Sequence, residues 1–222
     1  MISIIIPTRN EAVNIAKVIE ELKKYSPPDS EIIVVDNNSQ DNTPEIAETC
    51  GARVIRRKIP GRGKGSSLIL GAKEAKGNIL VFIDGDNTYQ PKSILNLIKP
   101  VLKEDKDIVY GSRFLKDSIC QNMTFLRYFG NRIFTLIASL LYQKTTDLLT
   151  GFYAIKKERF FELGLENEGF EIEVEIFTKA CQKKIKRKEV PIEYISRNRE
   201  SKLNPLKDGL KFLKILFKNK LC

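Results

Sequence analysis

Short β-branched runs alternate with amphipathic patterns through the first half of the chain. The runs are ISIIIP (2–7), EIIVVD (31–36), ARVIR (52–56), NILVFID (78–84) and DIVYG (107–111). Apolar residues that cluster without strict alternation predict parallel strands covered on both faces. Between them EAVNIAKVIEELKKY (11–25), TPEIAETC (43–50), KGSSLILGAKEAKG (64–77) and PKSILNLIKPVLKE (91–104) carry helical spacing. This alternation predicts an α/β fold built on an open, doubly wound, mainly parallel sheet. The second half is less regular. It holds helices over 125–143 and 171–182, a strand over 188–195 and a last helix from about Pro205, with TDLLTGFYAIKK (146–157) between the first two.

The polar residues collect at the strand ends: PTRNE (7–11), DNNSQDNT (36–43), DGDNT (84–88) and GSR (111–113). Ligands of doubly wound sheets sit beyond the carboxyl ends of the strands, and four polar tips in register point to a nucleotide site there. Asp84 and Asp86 flank Gly85. They could be plain turn residues; equally, two hard oxygen donors suit Mg²⁺ or Mn²⁺, which binds substrate phosphates with its remaining positions. Asp36 could accept from a base N–H, with Asn37, Asn38 or Ser39 meeting the ribose, or could close an Asx-turn before the helix at Thr43. Arg62-Gly63-Lys64-Gly65 opens the third helix, where glycines, backbone N–H groups and a helix N-terminus form an anion site. The spacing is not that of a P-loop.

Composition narrows the chemistry. With no histidine among 222 residues, a Ser-His-Asp triad, a Cys-His pair and His-bound zinc are excluded. The four cysteines, Cys50, Cys120, Cys181 and Cys222, lack pairing or ligand spacing and read as reduced thiols of a cytoplasmic protein. No basic n-region precedes ISIIIP, so no signal peptide is expected. The longest uncharged stretch, Ile133 to Gln143, has 11 residues, against roughly 20 for a membrane span. The net charge is +10, and residues 182–222 alone carry 13 Lys/Arg against 4 Asp/Glu. A basic end of this kind calls for a phosphate-bearing partner.

These motifs, taken in order, resemble those of family 2 glycosyltransferases with a GT-A fold, specifically the dolichyl- or polyprenyl-phosphate sugar synthases. SIIIPTRNEAVNI is similar to the family's first strand and nucleotide loop, and VVDNNSQDNT to its base-binding segment. RGKGSSLILGAKEAKG resembles its glycine-bearing helix start, FIDGDNTYQP its metal motif, GSRF its acceptor-side motif and TDLLTGFYAI its Thr-Asp-x-x-Ser/Thr-Gly-Phe segment. RNRESKLNPLKDGLKFL is similar to the stretch before the membrane-proximal helix.

The resemblance implies that Pro7, Arg9, Glu11, Asp36 and Asn38, with Lys64, Asp84 and Gly85, bind the nucleotide. It implies that Asp84 and Asp86 hold the metal and act in catalysis with Arg113. Arg113, Arg127 and Arg132 would clamp a lipid phosphate, with Arg197 and Lys202 closing over substrate phosphates. An acceptor phosphate is already an anion, so it attacks the anomeric carbon with inversion and without a general base. Thr88, Arg199 and Asn37 depart from the mannose-synthase pattern, and the wording leans toward archaeal enzymes using UDP-glucose or UDP-N-acetylglucosamine. GDP-mannose remains the alternative donor.

The final segment sorts on a helical wheel. Leu206, Leu210, Leu213 and Phe217 share a face extended by Phe212 and Leu216, with a stripe of Lys207, Lys211, Lys214 and Lys218, and Ile215 misplaced. Residues 1–204 are expected to form the catalytic domain and 205–222 a basic amphipathic helix lying on an anionic membrane surface at its cytoplasmic face. An ordinary core helix is the alternative reading, and residues 133–142 fit either an interfacial or a core helix. A hydroxyl acceptor would need a base, for which Glu171 and Glu173 are candidates. No nucleic-acid partner is expected, because no recognition fold or aromatic platform accompanies the charge. No feature of the sequence points to a particular oligomeric state.

Overall fold

The computed structural model describes residues 1–57, 63–196 and 204–221, the side chains of 205, 206 and 221 excepted. Arg62, Arg197, Arg199, Lys202 and the Leu206 side chain therefore lie outside the described residues.

The first half follows its pattern. β1 (Ile2–Thr8), α1 (Ile15–Tyr25), β2 (Glu31–Asp36), α2 (Thr43–Thr49), β3 (Arg53–Arg56), α3 (Lys64–Glu74), β4 (Ile79–Phe82), α4 (Ile94–Lys103) and β5 (Ile108–Ser112) succeed one another. Successive residues of one strand face opposite sides of a sheet, so β1 sends Ile4 and Ile6 to the layer of α1 and α4 while Ile5 meets α3. Both faces are buried, which is why these strands read as continuous apolar runs.

The second half supplies β6 (Ile119–Gln121), α5 (Phe125–Leu141), β7 (Tyr153–Lys156), α6 (Lys157–Glu162), α7 (Ile172–Gln182), β8 (Arg187–Pro191), β9 (Glu193–Ile195) and α8 (Pro205–Leu221). The main sheet has the order β3-β2-β1-β4-β7-β5-β8. Every pairing is parallel except those of β7, which runs antiparallel between β4 and β5. The strand expected over 188–195 is two strands. Pro191 ends β8, Ile192 turns inward at 2% exposure, and β9 then pairs with β6 in a second, two-stranded sheet.

α7 is buried on two sides. Ile172, Ile176 and Ala180 face the sheet, while Val174, Phe177 and Cys181 join Ala138 of α5 and Phe212, Ile215 and Leu216 of α8 in a third cluster. The wheel of α8 is thus rotated from its sequence reading. Ile215, the misfit, is inside, whereas Leu210 is 70% and Phe217 51% exposed. The groove between α5 and α7 decides which residues go in, and a wheel drawn on one helix carries no record of that groove. Each buried side chain of this size contributes roughly 1.5–3 kcal/mol, so α8 is held to the body by packing.

α5 is apolar on two sides. Ala138 is buried with Asn131 and Thr135, and Phe134, Ile137 and Leu141 pack on the third cluster, while Leu126, Phe129, Ile133, Leu136 and Leu140, spaced three and four apart, lie on the exposed side. That spacing makes one continuous stripe. Among the described residues no helix is long and apolar enough to cross a membrane.

Candidate active site

Strand order reverses at β1 and β4: β2 and β3 lie on one side, β7, β5 and β8 on the other. The crevice of a doubly wound sheet opens at such a reversal, and three of the polar tips meet here. Asn10, Asn38 and Asn87 follow β1, β2 and β4 with φ of 54°, 57° and 60°. Asparagine tolerates this left-handed backbone better than most side chains, so each chain turns sharply off its strand.

The β1 and β2 tips are stitched together. The Asn10 N–H donates to Ser39 Oγ at 2.9 Å, Gln40 N–H to Asn10 Oδ1 at 2.8 Å and Glu11 N–H to Thr43 Oγ1 at 2.8 Å. Asp36, 3% exposed, accepts from Ser39 N–H at 3.1 Å and from its hydroxyl, closing its own loop three residues on. Glu11 is buried and accepts from Asn14 Nδ2 at 2.9 Å. Pro7 is half-buried between them, Arg9 is exposed and Asn38 is half-buried. The structure thus brings Pro7, Arg9, Glu11, Asp36 and Asn38 to one end of the crevice.

Asp84 and Asp86 follow β4. The Asp86 Oδ1 accepts from Thr88 N–H at 3.1 Å and from its hydroxyl at 2.6 Å. A Cβ on Gly85 would lie 2.6 Å from Thr8 Cγ2, so only glycine lets the β4 tip pass β1 this closely. Asp84 has a partner that the sequence did not suggest for it. Lys64 Nζ lies 2.7 Å from Asp84 Oδ1 and 2.9 Å from Glu173 Oε1. Burial opposes the Lys64 charge, but the two carboxylates outweigh burial and hold the ammonium above the usual lysine range.

Two expectations for this loop are altered. Lys64 faces carboxylates rather than open crevice. The α3 N-terminus, read from sequence as an anion site, is closed by peptide carbonyls: Gly65 N–H donates to Gly169 O and Ser66 N–H to Glu168 O, both at 3.2 Å. Gly63 and Gly65 are small because the 167–169 segment presses on them; a Cβ on Gly63 would meet Glu168 O at 2.8 Å.

Across the crevice Arg113 directly follows β5, with its side chain 9% exposed. It was expected to clamp a phosphate; here its backbone N–H, Nε and Nη2 donate to Asp147 at 3.0, 2.7 and 2.7 Å. Nη2 also donates to Leu149 O at 2.9 Å, and Asn131 Nδ2 donates to Asp147 Oδ1 at 2.8 Å. Burial opposes the Arg113 charge, and Asp147 overcomes it. Arg113 and Arg132 converge on one ring, 5.6 and 5.7 Å from the Phe114 centroid. Arg127 Nη1 donates to Ser196 Oγ at 3.1 Å. Beside them Phe114, Cys120, Asn122, Met123, Phe125 and Tyr128 line an open, mostly apolar hollow of about 400 Å³. Tyr89 lies between the two sides: its hydroxyl accepts from Gly151 N–H at 2.8 Å, and its ring stands 5.9 Å from the Arg113 guanidinium.

Among the described residues no group of three or more Asp, Glu, Cys or His could cage a metal. Two carboxylates at an open crevice fit Mg²⁺ or Mn²⁺ instead, since such ions take one or two carboxylates plus substrate oxygens.

Residues 3–164 match the sequence profile of glycosyl transferase family 2. The chain belongs to that family. Relatives of this glycosyltransferase include AglJ of Haloferax volcanii, 32% identical over 94% of this chain and 68% of its own length. The dolichol-phosphate mannosyltransferase of Pyrococcus furiosus is 32% identical over 91% of this chain, which spans 59% of that protein. A dolichyl-phosphate hexose transferase of Haloferax volcanii is 30% identical over 94% of this chain and 89% of its own length. In structure the chain resembles glucosyl-3-phosphoglycerate synthase of Mycobacterium tuberculosis with Mn²⁺ and UDP-glucose, with TM-score 0.76 and 23% identity over 99% of this chain and 78% of that one. Mannosyl-3-phosphoglycerate synthase of Rubrobacter xylanophilus gives TM-score 0.77 at 18% identity, over 100% and 74% of the two chains. The fold is GT-A.

Sequence reasoning passed over Asp147 and gave Glu173 only the role of a possible base. Asp147 stood inside a quoted motif, TDLLTG, without a partner. A buried salt bridge between residues 34 positions apart leaves no local spacing signal, and the same holds for Lys64 with Glu173.

Proposed function

We propose that this family 2 glycosyltransferase transfers a hexose, with inversion, from a nucleotide sugar to dolichyl or polyprenyl phosphate, UDP-glucose or UDP-N-acetylglucosamine being the favoured donors. The observation that carries the reading is the two-sided crevice. Asp84 and Asp86 stand on the side of the nucleotide loops; Arg113, Phe114 and Arg132 stand opposite, beside the mostly apolar hollow and the outward apolar stripe of α5. A donor whose leaving group is anionic and an acceptor with an anionic head and an apolar tail fit those two sides.

Asp84 and Asp86 would hold the divalent cation, which when bound neutralises the charge on the departing diphosphate. Pro7, Arg9, Glu11, Asp36 and Asn38 would seat the nucleoside, and Gly85 would let its phosphates approach the backbone. Arg127 and Arg132 would hold the acceptor phosphate. Arg113, fixed by Asp147, would shape that side and add positive potential. The Arg197 and Lys202 roles stay as read from the sequence. No histidine is needed, since positioning and charge stabilisation are what this displacement requires of the protein. The relatives named for dolichyl-phosphate transfer support the lipid acceptor.

The same reading puts the protein on the cytoplasmic face of an anionic membrane. The outer face of α5 supports this: a helix already packed on the body that still exposes Leu126, Phe129, Ile133, Leu136 and Leu140 suits an interface of headgroups and acyl chains. α8 adds Leu210, Phe217 and the lysines Lys214 and Lys218.

The test is a donor panel of UDP-glucose, UDP-N-acetylglucosamine and GDP-mannose with a polyprenyl phosphate and Mg²⁺ or Mn²⁺, following sugar-lipid formation. Product with one UDP-sugar is the expected result. Product with GDP-mannose alone would change the donor, and transfer only to free sugars would remove the lipid acceptor.

A further inference from the structure

Lys64 is the first residue of α3. A cation there meets the positive end of the helix dipole, so the helix does not favour its charge; the two carboxylates do. The space is closely fitted. A Cβ on Gly151 would stand 2.5 Å from Lys64 Nζ and 2.9 Å from Asp84 Oδ2.

The two carboxylates differ in exposure and in attachment. The Asp84 side chain is 28% exposed, toward the crevice, whereas that of Glu173 is 7% exposed. Lys64 and Glu173 belong to one unit, because the first turn of α3 is hydrogen-bonded to Glu168 and Gly169, just ahead of α7. Asp84 belongs to β4. A ligand arriving in the crevice therefore reaches Asp84 and leaves the Lys64–Glu173 contact covered. Stripped of Lys64, Glu173 would be a buried carboxylate without a counter-charge, which is strongly unfavourable.

We propose that Lys64 is a resident counter-cation. It holds Asp84 in the nucleotide-free protein, and on arrival of the donor diphosphate with its divalent ion it gives up Asp84 and stays on Glu173. This rests on the reading of Asp84 and Asp86 as metal-holding residues. It makes Lys64 and Glu173 positioning residues that tie cation binding to nucleotide binding. Before the nucleotide arrives the ammonium and the divalent ion compete for one carboxylate. Afterwards the diphosphate supplies the missing negative charge.

The test is Mn²⁺ binding, followed by the loss of the free-ion electron paramagnetic signal, without nucleotide, with UDP and separately with GDP. The wild type should bind weakly alone and tightly with one nucleotide. Lys64→Met should bind Mn²⁺ alone at least tenfold more tightly than wild type, the factor of about 1.4 kcal/mol, and lose most of the nucleotide dependence. Lys64→Arg should restore that dependence. Glu173→Gln should do the opposite of Lys64→Met, weakening Mn²⁺ binding about tenfold with nucleotide and also without it, because the ammonium then has Asp84 as its one carboxylate partner of the two. General structural damage would weaken binding in both variants, so opposite signs distinguish the proposal. Should Lys64→Met fail to fold, Glu173→Gln decides alone, and unchanged affinity with nucleotide overturns the exchange. Nucleotide-stimulated Mn²⁺ binding that Lys64→Met leaves untouched overturns the lysine's role and keeps the metal reading. No Mn²⁺ binding by any protein under any condition overturns both.

Discussion

Lys64 and Arg113 are both largely covered cations at the polar edge of one sheet, and each meets a carboxylate at 2.7 Å. Their surroundings differ. Asp147 is 2% exposed and receives three donors from Arg113 and one from Asn131. Its oxygens are occupied in a fixed, planar geometry, and bidentate pairs of this kind are the strong ones. Lys64 offers a point charge to two carboxylates, one of which faces the crevice. Arginine suits a joint that stays closed, and lysine suits one that changes partner.

The comparison can be broken or sharpened by experiment. The largest effect should follow Asp147→Ala, which leaves the Arg113 guanidinium buried without its partner: stability should fall by about 3–5 kcal/mol, read from urea denaturation. A loss no greater than that of an exposed ion pair would mean that Arg113 is not committed to Asp147. On the other side Asp86→Asn keeps the turn contact with Thr88 and removes a charge. Sugar transfer should drop roughly 100-fold with the urea midpoint nearly unchanged. If this variant unfolds as Asp147→Ala does, the two sides are alike and the contrast fails. A milder version uses the wild type in excess chelator: transfer should be lost, thermal stability kept, and activity regained with Mg²⁺ or Mn²⁺. The smallest effect touches neither cluster. Leu136→Ser with Leu140→Ser should weaken co-sedimentation with anionic vesicles by roughly tenfold while denaturation stays as in wild type. Unaltered co-sedimentation would take α5 out of the membrane contact.

The parallel strands were legible because burial on both faces leaves an unmistakable run of isoleucine and valine. Ile4, Ile5 and Ile6 are all fully buried, and no partner need be known to read them. β7 was harder: Tyr153–Lys156 is four residues long, and its place depends on β4 and β5, which flank it far away in sequence. α8 was read as a helix correctly, yet its inward face is set by α5 and α7. The geometry of the polar tips was legible where a residue's contacts lie in its own loop, as with Asp36 and Asp86. It was illegible where a partner lies on another element, as with Glu173 for Lys64 and Asp147 for Arg113.

The reversed direction of β7 affects how this enzyme can diversify. A strand running against its neighbours begins where they end, so the segment that leads into it, residues 146–152, lies on the polar edge. Lengthening or shortening that lead-in would move Asp147 and its arginine while β7 keeps its pairing with β4 and β5. The crevice wall that carries Arg113 could in this way be reshaped by insertion or deletion, with the aspartates beyond β4 left where they stand.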